Sequence, residues 1–191
     1  MTMNFMLIFL TIVLFLILVM VLIEAILTTL NLVGLFRAKG VPFVPLSDRA
    51  IAEVIKASHF APSDVIMDLG CGDGRVLFAF EKAGAANLIG YEINYWPYIL
   101  GRVKKWMKKT KTKLFCQNFF NVDISRANII VCYLLPKTLL ELRQKFDNEL
   151  KPGSRIVSFG FEIKDWRPPQ IIKTAKEKNL KGDVYIYEIN R

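Results

Sequence analysis

The stretch from Val65 to Arg75, VIMDLGCGDGR, constrains the fold of this chain more than any other. Val65, Ile66 and Met67 form a short apolar run, which suits a strand buried on both faces. Glycines follow at 70, 72 and 74. Glycine accepts positive φ and lets a ligand approach the backbone closely. Arg75 to Lys82 then has helical spacing, with Val76, Leu77, Phe78 and Phe80 able to face a sheet. The start of such a helix offers free N–H groups to a polar ligand. Eighteen residues after Asp73, Tyr91 and Glu92 close a second apolar run. An acid at that interval points to a nucleoside cofactor. The dinucleotide spacing G-x-G-x-x-G would need glycine at 75, where Arg75 stands. A sharp strand-to-helix turn with no ligand is the plain alternative.

The rest of the chain alternates in the same way. A helix starts at Ser47-Asp48-Arg49 and ends near Ser58, ahead of Pro62. Strands are expected at Leu88 to Glu92, Leu114 to Gln117, Asn128 to Tyr133 and Arg155 to Phe159. Helices are expected at Trp96 to Lys108 and Lys137 to Leu150, the second closed by Lys151-Pro152-Gly153. Ile171 to Ala175 and Val184 to Ile189 read as a closing pair of strands around Lys181-Gly182-Asp183. The alternation predicts an α/β, Rossmann-like, mostly parallel twisted sheet of about seven strands with helices on both faces. Ligands bind such sheets at the carboxyl ends of the strands, where the glycine turn lies.

The beginning of the chain is different. Met3 to Ile23 has no charged residue and is mostly Leu, Ile, Val, Phe and Met. A bilayer crossing takes about 20 apolar residues, so one transmembrane helix fits. Glu24 interrupts the run, and Ala25 to Phe36 is again mostly apolar. We expect one span, then a second piece lying at the interface or packing on the domain. A cleaved signal peptide would need a basic start and a shorter core. A buried core helix is the plain alternative, weakened because every face of the run is apolar, where a helix packed on a domain of this size keeps one polar face. Basic residues follow the span, at Arg37 and Lys39, and none precedes it. This puts the remainder on the cytoplasmic side of a single-pass protein. Residues 1–36 thus form an anchor and juxtamembrane segment, and 37–191 the soluble domain.

The formal charge is +9, and Glu24 is the one charged residue before Arg37, so the remainder carries +10. Much of it lies in Arg102, Lys104, Lys105, Lys108, Lys109, Lys111 and Lys113. Anionic lipid, nucleic acid or an acidic protein could meet that run, and so could water alone. Beside a membrane anchor, anionic lipid is favoured over nucleic acid. Trp106 could sit at headgroup depth or pack inward. Cys71, Cys116 and Cys132 have no C-x-x-C spacing and read as reduced thiols. With His59 the single histidine, no metal site is expected.

The pattern D-x-G-x-G-x-G from Asp68 to Gly74 resembles motif I of class I S-adenosylmethionine-dependent methyltransferases. Further segments resemble the small membrane-anchored protein-lysine methyltransferases, which act on mitochondrial inner-membrane proteins and have prokaryotic relatives. These are Pro42-Phe43-Val44-Pro45, Gly90 to Asn94, Asn128 to Pro136, Lys151 to Ser158 and Asp165-Trp166-Arg167-Pro168. The resemblance covers most of 42–168 and weakens beyond it. It implies S-adenosylmethionine as cofactor and a location in the mitochondrial inner membrane if the source is eukaryotic.

By position, the resemblance implies that Phe43, Val44 and Pro45 fold over the cofactor. Asp68 helps hold its amino-acid end, and Leu69, Gly70, Cys71, Gly72, Asp73 and Gly74 of the same motif also bind the cofactor. Glu92 accepts from both ribose hydroxyls, a job that suits a pure acceptor when ionised, and Ile93 beside it also binds the cofactor. Asn118 and Phe119 meet the adenine, with Asn118 where many relatives carry Asp. Cys132 to Pro136 lacks an Asn-Pro-Pro-Tyr motif, which counts against amide or adenine-amine acceptors. Tyr133, at the end of the fourth strand, is the candidate to contact a lysine acceptor and could equally be a core residue, while Glu162 and Asp165, after the fifth strand, could orient an ammonium group. Methylation of a lipid or membrane-soluble small molecule, cofactor binding without chemistry, and nucleic-acid methylation are the competing readings.

Overall fold

The computed structural model describes residues 2–37, 43–174 and 182–190. Its first element is α1 (Thr2–Arg37), followed by α2 (Asp48–Ser58), β1 (Val65–Leu69), α3 (Arg75–Lys82), β2 (Asn87–Tyr91) and α4 (Tyr95–Lys108). Then come β3 (Lys113–Phe115), a 3-10 turn at Phe119–Asn121, β4 (Ile129–Cys132), α5 (Pro136–Glu149), β5 (Arg155–Phe159), β6 (Gln170–Ile172) and β7 (Val184–Glu188).

The strands form one sheet in the order β3-β2-β1-β4-β5-β7-β6. The first five are parallel to their neighbours, and β7 runs antiparallel between β5 and β6. The order reverses beside β1, which pairs with β2 on one side and β4 on the other. Such a switch point opens a crevice at the carboxyl ends of the strands.

Successive side chains of a strand point to opposite faces, so both faces need apolar cover. Ile66, Ile129, Val131 and Val157 pack with α2 and α3. Met67, Ile130, Cys132 and Ile156 pack with Leu139, Leu142 and Phe146 of α5 on the other face. Ser47 caps α2 by accepting from the Ala50 N–H, and Asn94 caps α4 by accepting from the Trp96 N–H.

Two expectations change. The break at Glu24 is absent, because α1 is one unbroken helix of 36 residues. Thr2 to Val33 contains no glycine or proline, and one glutamate is a good helix former. The helix is long and apolar enough to cross a membrane from Asn4 to Gly34. The segment after β5 also departs from its expected course toward the crevice. Gly160 and Asp165 both take positive φ, at 81° and 51°. The chain then runs along α5 and β7, where Ile163 N–H donates to Tyr187 Oη at 2.6 Å and Trp166 Nε1 donates to Asp147 Oδ2 at 2.9 Å. Pro42 and Lys181 lie outside the described residues.

Candidate functional site

A cavity of about 290 Å³ opens at the carboxyl ends of β1, β2 and β4. Its polar half is the β1–α3 turn. Gly70 and Cys71 N–H both donate to Tyr91 O, at 2.8 and 3.0 Å, tying the turn to β2. Gly72 has φ 54°, and a Cβ there would lie 2.2 Å from the Phe43 ring. No residue with a side chain fits between that turn and the strap above it.

Three carboxylates converge here, each in a different electrostatic state. Glu92 accepts from Gly72 N–H at 2.9 Å through Oε2 and from Asn94 N–H at 2.7 Å through Oε1. Burial still raises its pKa, against the pull of those donors. Asp68 is fully buried on β1, and burial, helped by repulsion from Glu92 and Asp73, lifts it to about 8. Asp73 is buried too, which alone would raise it. Hydrogen bonds from Arg75 and Lys104 outweigh that and hold it at about 2. Arg75 Nη2 lies 2.8 Å from Asp73 Oδ2, and Lys104 Nζ reaches the same oxygen. Arg75 Nη1 also donates to Leu46 O at 3.1 Å, holding the strap from Phe43 to Ser47 against the turn.

Phe43, Val44, Pro45, Ile93, Asn118, Phe119 and Phe120 form an apolar slot beside these acids. Asn118 Oδ1 accepts from Phe120 N–H at 3.0 Å and caps the 3-10 turn. Its NH₂ and one remaining lone pair could serve a heterocycle. Across the cavity stand Tyr133, Leu134 and Leu135 from the end of β4, with Lys137, Thr138 and Glu141 from α5. The Tyr133 ring stacks on Phe161 at 6.2 Å and meets Phe159 edge-on at 5.6 Å.

Of the residues expected to hold a cofactor, Phe43, Val44, Pro45, Asp68, Gly70, Cys71, Asp73, Glu92, Ile93, Asn118 and Phe119 line this one cavity. Leu69, Gly72 and Gly74 shape the turn from behind and are buried. Tyr133 lines the opposite wall. Glu162 and Asp165 do not line it. Both are exposed, because the left-handed turn at Gly160 carries their segment away onto α5. Sequence reading misses Arg75, whose position in the motif hints at a role, and the α5 residues Lys137, Thr138 and Glu141, which carry no motif.

An acid-rich glycine turn at the switch point of a sheet in this order, with a buried glutamate, Glu92, directly after β2, defines a class I S-adenosylmethionine-dependent methyltransferase. A solved RNA methyltransferase from Salinibacter ruber, in complex with S-adenosyl-L-homocysteine, has the same fold. It aligns with TM-score 0.71 and 26% identity over 77% of this chain and 94% of that one. Residues 68–170 match the family described as the ANTKMT methyltransferase domain. A protein-lysine N-methyltransferase of Saccharolobus islandicus (strain REY15A) is 34% identical over 78% of this chain and 94% of its own length. The adenine nucleotide translocase lysine N-methyltransferase of Mus musculus is 28% identical over 76% of this chain, which spans 64% of that relative. The chain belongs to this family of S-adenosylmethionine-dependent protein-lysine methyltransferases.

Proposed function

We propose that the chain is a membrane-anchored protein-lysine N-methyltransferase whose acceptor is a lysine of a membrane or membrane-proximal protein. In this reading residues 1–36 are the anchor, 37–191 the catalytic domain, and the domain faces the cytoplasm. The observation that carries the reading is where α1 ends. Gly34 is buried against Asn94, so tightly that a Cβ would lie 2.1 Å from Asn94 Oδ1. Asn94 itself lines the cavity. In this reading the span leaves the bilayer beside the pocket. The Thr11 and Thr29 hydroxyls each donate to their own helix carbonyls at 2.8 Å, as a lipid-facing helix requires. The basic run Arg102 to Lys113 fits an anionic lipid surface. The mouse relative is named for a lysine of the adenine nucleotide translocase, and a translocase is a membrane protein.

S-adenosylmethionine supplies the activated methyl group. Asp68 would pair with its ammonium, Glu92 would accept from the ribose hydroxyls, and Ile93, Phe119 and Asn118 would hold the adenine. The acceptor amine must arrive neutral and in line. A lysine has pKa about 10.4 in water, so an apolar wall of Tyr133, Leu134 and Leu135 favours the reactive form by desolvation. Tyr133 contacts the amine from that wall.

The test is incubation of the full chain in host membranes with methyl-labelled S-adenosylmethionine, then protease digestion and solvent partition. Label on lysines of a membrane protein supports the reading. Label extracted into organic solvent replaces it with methylation of a lipid or membrane-soluble molecule.

A further inference from the structure

Helix α4 has two sides that do not match an ordinary surface helix. Its inner side is packed on the glycine turn. Pro97 and Gly101 are buried there, and a Cβ on Gly101 would meet the Asp73 carbonyl carbon at 3.1 Å. At 3.6 residues per turn, Val103 lies about 160° around the helix from Gly101. A helix on a water-facing surface carries its charges on that outer side. Here Ile99, Val103, Trp106 and Met107 occupy it, 39, 49, 80 and 68% exposed. Arg102, about 40° around the helix from Trp106, borders this apolar stripe, and Lys108 and Lys109 close its C-terminal end with Lys111 beyond.

We infer that α4 lies in the plane of the membrane, its Ile99–Val103–Trp106–Met107 stripe inserted among the headgroups of an anionic bilayer. An apolar stripe edged by cations, with a tryptophan at its centre, is the pattern of interfacial helices. Two observations favour a bilayer over a protein partner. The flanking charges are all positive, which complements an anionic surface. The stripe is also continuous with the anchor, because α1 and α4 pack together and Gly34 sits on the residue that caps α4. A helix that begins where a span leaves the bilayer starts at the headgroups. The inference rests on the anchored reading above.

Its consequence reaches the site. Lys104 bonds Asp73 from α4, and Gly101 touches the backbone of the same residue. An inserted α4 thereby fixes the height and tilt of the glycine turn above the membrane, and with it the distance to acceptor lysines.

The test uses the full chain in nanodiscs of phosphatidylcholine mixed with phosphatidylglycerol. A nitroxide is placed by Met107→Cys in a Cys116→Ser background, and its collisions with oxygen and with a water-soluble nickel chelate are compared. Leu14→Cys in the span and Gln144→Cys on the exposed side of α5 give the two reference environments. The expected result is a several-fold excess of oxygen over nickel at 107, between the two references. It should fall toward the Gln144 value when Lys108 and Lys109 are both changed to Glu. A label at 107 that matches the Gln144 site while the Leu14 site reads bilayer core overturns this inference and leaves the anchor intact. Shielding of 107 from both quenchers overturns it in favour of a protein partner. A water-like signal at Leu14 removes the anchor and the inference together.

Discussion

Asp68, Asp73 and Glu92 fill one half of the cavity, and Tyr133 with the first turns of α5 fills the other. In the first half each acid is fixed by backbone or by charge. Glu92 is held by two N–H groups, Asp73 by Arg75 and Lys104, and Asp68 by enclosure in β1. In the second half, position comes from packing, as where Tyr133 leans on Phe159 and Phe161. Under the proposed function the difference separates two tasks. A cofactor of constant shape suits a rigid set of polar partners, whereas an acceptor side chain suits an apolar wall that leaves an amine neutral.

Glu92→Ala should show the largest effect. It removes a charged acceptor, worth roughly 1.5–3 kcal/mol, and frees two buried donors. Cofactor affinity by calorimetry should fall about tenfold or more, and unchanged affinity would remove the ribose assignment.

Asp68 comes next, through pH. Its pKa near 8 means it is protonated in the free protein at neutral pH. If an ammonium group must ionise it, affinity should rise with pH toward about 8, by up to tenfold per unit. Asp68→Asn should flatten that slope. The sign for stability is opposite. The raised pKa favours the fold fully below about 4 and that advantage is lost as pH rises through about 8. Without cofactor, Asp68→Asn should therefore melt higher than the parent at pH 8, which thermal scans can check.

Tyr133→Ala sharpens the contrast from the other side. Methyl transfer should slow about tenfold, equal to ~1.4 kcal/mol, with cofactor affinity within about threefold of the parent. Equal losses in both would make the two halves one. The smallest effect is expected for Glu162→Gln and Asp165→Asn together. Both side chains are exposed away from the cavity, so transfer rates should stay within about twofold.

The same contrast explains what is legible in the sequence. The glycine half is written in consecutive residues, since turn, strand and helix start are local and their spacing is chemically constrained. Strands buried on both faces, such as Ile129–Cys132, announce themselves as apolar runs. The acceptor half depends on contacts distant in sequence. Lys137, Thr138 and Glu141 reach the cavity because α5 packs Leu139 and Leu142 on the sheet, and their own identities carry no signal. Glu162 and Asp165 are drawn toward the site by their place after β5. The contact that removes them, Trp166 between Phe146 and Tyr187, is tertiary. The continuity of α1 past Glu24 is hidden for another reason. A charge marks a change of solvent, and backbone helicity is indifferent to it.

The most direct measurement is a structure of the full chain with S-adenosylhomocysteine bound. The expected result places the ribose hydroxyls on Glu92, the ammonium beside Asp68, the adenine between Ile93 and Phe119, and the sulfur facing Tyr133. A ligand lying the other way round, with adenine against Tyr133 and its amino-acid end at Phe119, would contradict the division of the cavity into a cofactor half and an acceptor half.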